Sequence, residues 1–180
     1  MWPPKWLADW GLRLNRLYYK RLFERNYLHK GSDQPSWFDH RIDLYYNWPH
    51  NLFWLERGIL PRKLLFKGCT VLSLFCGDGF YARHFHSGIA GRIDAVDRDP
   101  AAIAHARKWH AHPVVRYYEM DAVTHEFPAD RYDVVLWFEG LEHLSDEHAA
   151  VVLGRIKKAI GQEGVLFGST PLVPKERQGL

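Results

Sequence analysis

Two places along this chain carry residue types at spacings that could do chemistry. The first reads Phe138-Glu139-Gly140-Leu141-Glu142-His143-Leu144, which sets two carboxylates and an imidazole at i, i+3 and i+4. On a helical turn those three share one face. An imidazole there can take the proton of an oxygen acceptor as a general base, and hard carboxylates with one imidazole suit Mg²⁺ or Mn²⁺, which would lower the same hydroxyl's pKa. A base, a metal site and a purely structural role all remain open at this point. The second place is Cys76-Gly77-Asp78-Gly79 with Asp97, which follows Gly77 by 20 residues. Gly77 and Gly79 allow positive φ and leave no Cβ in the way of a ligand approaching the backbone. An acid at the distance of Asp97 can take the hydroxyls of a ribose.

The elements that must position these residues can be read from the pattern around them. Val71 to Phe85 is an apolar run, a Gly-Asp-Gly break and then apolar residues at helical spacing: strand, tight turn, helix. Further strands are expected near 92–96, 114–119, 132–138 and 164–168, after a first at 70–75. Helices are expected near 80–87, 100–110 and 147–160, with Pro100 in a first turn capped by Asp99. Such alternation predicts an α/β fold, a mostly parallel sheet of about five strands with helices on both faces. Ligands then bind at the carboxyl ends of the strands, where the glycine turn and Asp97 both fall. Gly77-x-Gly79-x-x-Ala82 also satisfies the loose dinucleotide fingerprint, but Asp78 would bring a carboxylate close to a doubly charged pyrophosphate.

Val71-Leu72-Ser73-Leu74-Phe75-Cys76-Gly77-Asp78-Gly79 resembles motif I of the class I S-adenosylmethionine (SAM)-dependent methyltransferases, whose fold is Rossmann-like. Ser73 stands where that family usually has an acid, and Phe75 where it usually has the first glycine. The resemblance extends through Val96-Asp97-Arg98-Asp99-Pro100, Met120-Asp121-Ala122, Tyr132-Asp133-Val134-Val135 and Gly164 to Pro171. It implies SAM as cofactor, with binding residues at Ser73, Phe75, Gly77, Gly79, Asp97, Arg98, Asp121, Ala122 and Phe138. Gly77 and Gly79 would bear the methionine end, Asp97 the ribose, and Asp121 with Ala122 the adenine. Catalytic roles fall to Glu139, Glu142 and His143. Glu-x-x-Glu-His here is similar to two branches of the family: the quinone-biosynthesis O-methyltransferases, and the terminal ribose 2′-O-methyltransferases of small RNAs, in which two glutamates and a histidine hold a divalent ion. The RNA enzymes draw a second histidine from beyond their fifth strand, whereas this chain has none after His148.

Composition bounds the rest. The 180 residues carry a net charge of +3, too small to imply nucleic acid or membrane on its own. Seven of the Lys and Arg lie within residues 1–30, against Asp9 and Glu24, so the basic character belongs to that segment. There Trp6, Leu7, Trp10, Leu14, Leu17, Tyr18 and Phe23 fall near helical spacing up to about His29. This predicts an amphipathic helix whose aromatic face packs as a cap or on a second subunit, a membrane surface or RNA phosphates being the other uses. A hinge-like break follows at 31–36, then a second aromatic stretch with Tyr45, Tyr46, Trp48 and Phe53. The expected division is a helical cap at 1–60 and a Rossmann-like core at 61–180. The other histidines, His84, His86, His105, His110 and His112, read as surface residues. Two cysteines, no apolar run near 18 residues and no signal-peptide layout make the cytoplasm the expected compartment. The nine residues after Pro171 are too few for the C-terminal hairpin of the resembling family, so the chain is expected to be either a short variant or a truncated product. The expected activity is methylation of a small-molecule acceptor at oxygen; RNA terminal methylation and a non-catalytic SAM-binding partner subunit are the alternatives.

Overall fold

The computed structural model describes residues 4–28, 35, 37–47 and 52–172. The expected break at 31–36, Pro35 apart, together with Trp48 and the tail after Leu172, lies outside them. The chain divides into two compact units, Met1–Leu52 and Phe53–Leu180.

The second unit holds a five-stranded sheet built from β1 (Thr70–Leu74), β2 (Arg92–Asp97), β3 (Val115–Glu119), β4 (Tyr132–Phe138) and β5 (Ile160–Ser169). Its order is β3-β2-β1-β4-β5, and every neighbouring pair is parallel. Central parallel strands are covered on both faces, which is why β1 and β4 are largely apolar and β2 buries Ile93, Ala95 and Val96 between its charged residues. On one face Val71, Ile93, Ala95, Val134 and Leu136 pack with Ala82, from the helical segment 80–86, and with Ile103 and Ala106 of α2 (Pro100–Trp109). On the other Leu72, Leu74, Val96, Val135 and Trp137 meet Val152, Ile156 and Ala159 of α3 (Asp146–Ala159). Both helices start at side-chain caps. Asp99 Oδ1 accepts from the Ala101 and Ala102 amides at 2.7 and 3.2 Å, and Ser145 Oγ from that of His148 at 3.3 Å.

Polar clamps fix the amino ends of the strands. Asp133 Oδ2 accepts from both the amide and the hydroxyl of Thr70, at 2.7 and 2.8 Å, and the Tyr132 hydroxyl donates to Asp94 at 2.8 Å. The carboxyl ends are thereby left to the loops. One boundary differs from expectation: β5 begins at Ile160, not Gly164, because Ile160 pairs with Tyr132 and a register irregularity, flanked by Gly161 and Gly164, separates that pair from Val134 and Val165.

In the first unit α1 runs Lys5–Phe23 and closes in a π-wound turn at Glu24–Leu28. Trp6, Leu7, Trp10, Leu14, Leu17 and Tyr18 of the stripe expected to pack as a cap or on a second subunit are exposed in the single chain. The residue the helix buries is Tyr19, whose ring stacks on Tyr45 at 4.9 Å, with Phe23 tilted against Tyr46. Tyr45 and Tyr46 thus serve the packing of this unit. Segment 53–60, expected to belong to the cap, forms part of the second unit through bonds of Glu56 and Arg57.

Candidate functional site

The turn after β1 carries three residues in the left-handed region: Phe75 at φ +52°, Gly77 at +53° and Gly79 at +74°. For Phe75 this is a costly backbone, of order 1–3 kcal/mol. Its ring stacks on that of Trp137 at 5.9 Å and 19°, which holds it in place. The two glycines are required for different reasons. Nothing lies within 4 Å of where a Cβ on Gly77 would sit, so that face stays open to a ligand, whereas a Cβ on Gly79 would run into the Tyr117 ring.

Asp97 fastens this turn to the end of β2. Its Oδ2 accepts from the Gly77 amide at 2.8 Å and its Oδ1 from that of Asp99 at 3.0 Å. Burial nevertheless raises its pKa above the ordinary carboxylate value, outweighing those two amides. Beside it opens a shallow cleft lined by Phe75, Val96, Asp97, Arg98, Met120, Asp121, Ala122 and Leu144. Asp121 Oδ1 caps the following turn, accepting from the Val123 amide at 2.8 Å.

The cleft brings together five of the nine residues expected to bind cofactor: Phe75, Asp97, Arg98, Asp121 and Ala122. Gly77 joins them through Asp97, and Gly79 backs the turn against Tyr117. Ser73 lies within β1, paired in register with Ala95 and Leu136, and is not part of the lining. Nor is Phe138, which packs edge-on against Phe167. Sequence reasoning missed Val96, Met120 and Leu144. The first two each precede an expected acid at a strand's carboxyl end, a position whose side chain faces the cleft floor, and that placement could have found them.

The corner after β4 differs from expectation. Glu139 has φ +48° and its amide donates to Ser169 O at 2.9 Å, so it stands outside the helical turn. Only Leu141–His143 form one, a single tight 3-10 turn. The carboxylates are also drawn to different partners. Glu139 Oε2 lies 3.3 Å from Nη2 of the buried Arg57, while Glu142 Oε2 accepts from Thr170 Oγ1 at 3.1 Å. Glu139 nonetheless remains close enough to feel the charges of Glu142 and His143. Burial raises the pKa of Glu139, opposed by Arg57. Glu142 and His143 are exposed.

Among the described residues, the group of three metal-capable side chains whose ligand atoms converge, all within 4.8 Å of one another, is Asp78, His105 and His110. The surface reading of the histidines fails for two of them. His86 and His110 are buried, 1% and 2% exposed. His86 Nε2 bonds Arg57 O at 3.0 Å, and burial pushes its pKa down to about 4.

An apolar slot with one acid at a ribose's distance from a glycine turn, and a second acid one strand over, fits a nucleoside, and the open face at Gly77 fits the group attached to it. The site and the parallel sheet define a nucleoside-cofactor protein of the doubly wound α/β class. The comparisons are narrower. The family model described as "Methyltransferase domain" matches residues 71–164, more than half of the chain. The chain belongs to this family, the class I SAM-dependent methyltransferase domains. It is 30% identical, over 122 residues, to the Mycobacterium tuberculosis protein named "Probable S-adenosylmethionine-dependent methyltransferase Rv3030", covering 66% of this chain and 43% of that one. A second M. tuberculosis protein, "Uncharacterized methyltransferase Rv0089", is 31% identical over 61% of this chain and 54% of its own length. The chain thus spans about half the length of these relatives. Among solved structures, the DhpI complex with S-adenosylhomocysteine (SAH) superposes with a TM-score of 0.57 at 24% identity, over 88% of this chain and 68% of that one. Haemonchus contortus phosphoethanolamine N-methyltransferase 1 gives 0.63 at 17% identity, over 88% and 33%. These likenesses carry the fold. No helix among the described residues is long and apolar enough to cross a membrane.

Proposed function

We propose that this chain transfers a methyl group from SAM to the oxygen of a small-molecule acceptor. The observation that carries the reading is the cleft at the carboxyl ends of β1 to β3, which Asp97 lines while it is tied to the glycine turn. When bound, SAM supplies an electrophilic methyl on a sulfonium. The chain's part is to hold the acceptor in line with that methyl and to take its proton. Asp97 would accept from the ribose hydroxyls, and the apolar walls of Phe75, Val96, Met120 and Leu144 would hold the adenine, with Asp121 and Ala122 at its edge. Gly77 would admit the methionine end. His143, on the exposed turn after β4, is the base. Arg57 would fix Glu139 beside it as a positioning residue.

Mg²⁺ has no part in this reading, because Glu139 and Glu142 are drawn to Arg57 and Thr170. Terminal RNA methylation, which would draw on a metal held by those carboxylates, loses support for the same reason. The non-catalytic partner subunit remains the second reading. It is favoured by the exposed Trp6, Trp10 and Leu14 of the basic helix, through which association with another chain would run. A cytoplasmic setting is consistent with Cys69 and Cys76 both being free thiols.

Titration calorimetry of SAM and SAH into the purified chain, followed by a screen of hydroxylated small molecules for SAH release, tests the proposal. Binding with turnover supports it. Binding without turnover on any acceptor favours the partner subunit, and a folded chain that binds neither ligand rejects both.

A further inference from the structure

We propose that Asp78, His105 and His110 form a site for a transition-metal ion of the Zn²⁺ class, which ties the cofactor turn to the end of α2. The first support is geometric. The three ligand atoms lie within 4.8 Å of one another, and His110 Nε2 is 4.0 Å from Asp78 Oδ2. That separation is too long for a hydrogen bond, though it is an ion-pair contact when His110 is protonated. It is within an ångström of the roughly 3.4 Å edge that bonds of about 2.0–2.1 Å make in a tetrahedron.

The second support is the setting. Asp78 is 0% and His110 2% exposed, while His105 is half-buried, so the ligands are dry and one side admits an ion. Third, His84 Nε2 lies 3.1 Å from His110 Nδ1. When Nδ1 carries the proton and donates it to His84, the Nε2 lone pair of His110 faces Asp78, the outer-partner arrangement that orients metal-binding histidines. The Tyr117 hydroxyl donates its one proton to His110 O at 2.9 Å and also lies 3.3 Å from Gly79 O, so it bridges the two halves of the site before any ion arrives.

Two imidazoles with one carboxylate select Zn²⁺, Co²⁺ or Ni²⁺ over Mg²⁺, and three protein ligands leave a fourth position to water. The role is structural. Asp78 does not line the cofactor cleft, but it sits between Gly77 and Gly79, so an ion here would stiffen the turn from behind. The proposal stands independently of the methyl-transfer reading.

The full chain, stripped with chelator and titrated with Co²⁺ alone, provides the test. We expect one equivalent per chain, with the intense visible bands of a tetrahedral site, displaced by Zn²⁺ and accompanied by a higher Tm. His105→Gln should weaken Co²⁺ binding more than tenfold with an unchanged circular dichroism spectrum, and His84→Gln about tenfold. His143→Ala should leave the bands intact. A second readout needs no variant: the imidazole ¹⁵N resonances of His105 and His110 should move on Zn²⁺ addition. Absence of stoichiometric Co²⁺ in the folded chain, bands that survive His105→Gln, or unmoved imidazole resonances would each overturn the proposal and leave the cluster a buried polar contact.

Discussion

The two ends of the site are built on opposite plans. At β1 to β3 the functional groups are locked together: Asp97 holds the Gly77 and Asp99 amides, Phe75 is pinned by Trp137, and the cleft walls belong to the core of the sheet. At β4 and β5 the two carboxylates turn to separate partners. Glu139 leans on Arg57, Glu142 on Thr170, and His143 stands exposed on a turn of three residues. A cofactor of constant shape can be met by a rigid, preformed slot, whereas an acceptor's shape is met by side chains on loops. Fold and cofactor class are therefore general to this architecture, and the acceptor is particular to the chain.

The contrast can be broken most sharply at His143. His143→Ala should lower kcat by about 10²-fold or more while leaving the Kd for SAM unchanged, measured by SAH release and calorimetry. A parallel loss of SAM affinity would show that the two ends are one unit. At the other end, Asp97→Ala should weaken SAM binding by roughly 30- to 100-fold, the loss of about 2–3 kcal/mol from hydrogen bonds to a charged group. It should act on Kd first, and a change confined to kcat would reverse the assignment.

The locked end was also the more legible in the sequence. Gly77, Gly79, Asp97, Asp121 and Ala122 sit at strand ends that apolar runs and turn residues announce, and the Asp99 cap of α2 was readable from Asp-Pro alone. The end after β4 was less legible because i, i+3, i+4 spacing assumes a helix, whereas Glu139 is left-handed and precedes a single 3-10 turn. Phe75 shows the same limit from the other side. Its type argues against positive φ, and only the ring of Trp137, 62 positions along the chain, accounts for it. The buried histidines were hidden for a related reason, since their partners come from distant elements: Arg57 O for His86, and the Asp78 turn for His110.

Two smaller effects refine the comparison. Gly79→Ala combines φ +74° with a clash on the Tyr117 ring and should destabilise the chain by about 1–3 kcal/mol, read from the denaturation midpoint. Gly77→Ala faces open space and should cost less stability, yet weaken SAM binding by intruding on the approach of the methionine end. Acidification should act next. Because burial raises the Asp97 pKa, its protonation begins at higher pH than for an ordinary aspartate, and only the carboxylate can accept from both ribose hydroxyls. Binding of the ribose then releases a proton in that window, and SAM affinity should fall as pH drops through it. In the free chain the sign reverses, for a raised carboxylate pKa means the folded state holds its proton more tightly than the unfolded one, so this group favours folding below that window and opposes it above. Calorimetry in buffers of different ionisation heat separates the two.

The clamp of Asp133 on Thr70 gives the sheet a direction in time as well as in space. Backbone amides near it should exchange with solvent only on global unfolding, while those after Phe138, held by single loop contacts such as Glu139 N to Ser169 O, should open locally and far more often. Ligand entry then draws on the openings that the loose end already makes, and the clamped end keeps the strands in register while it does so.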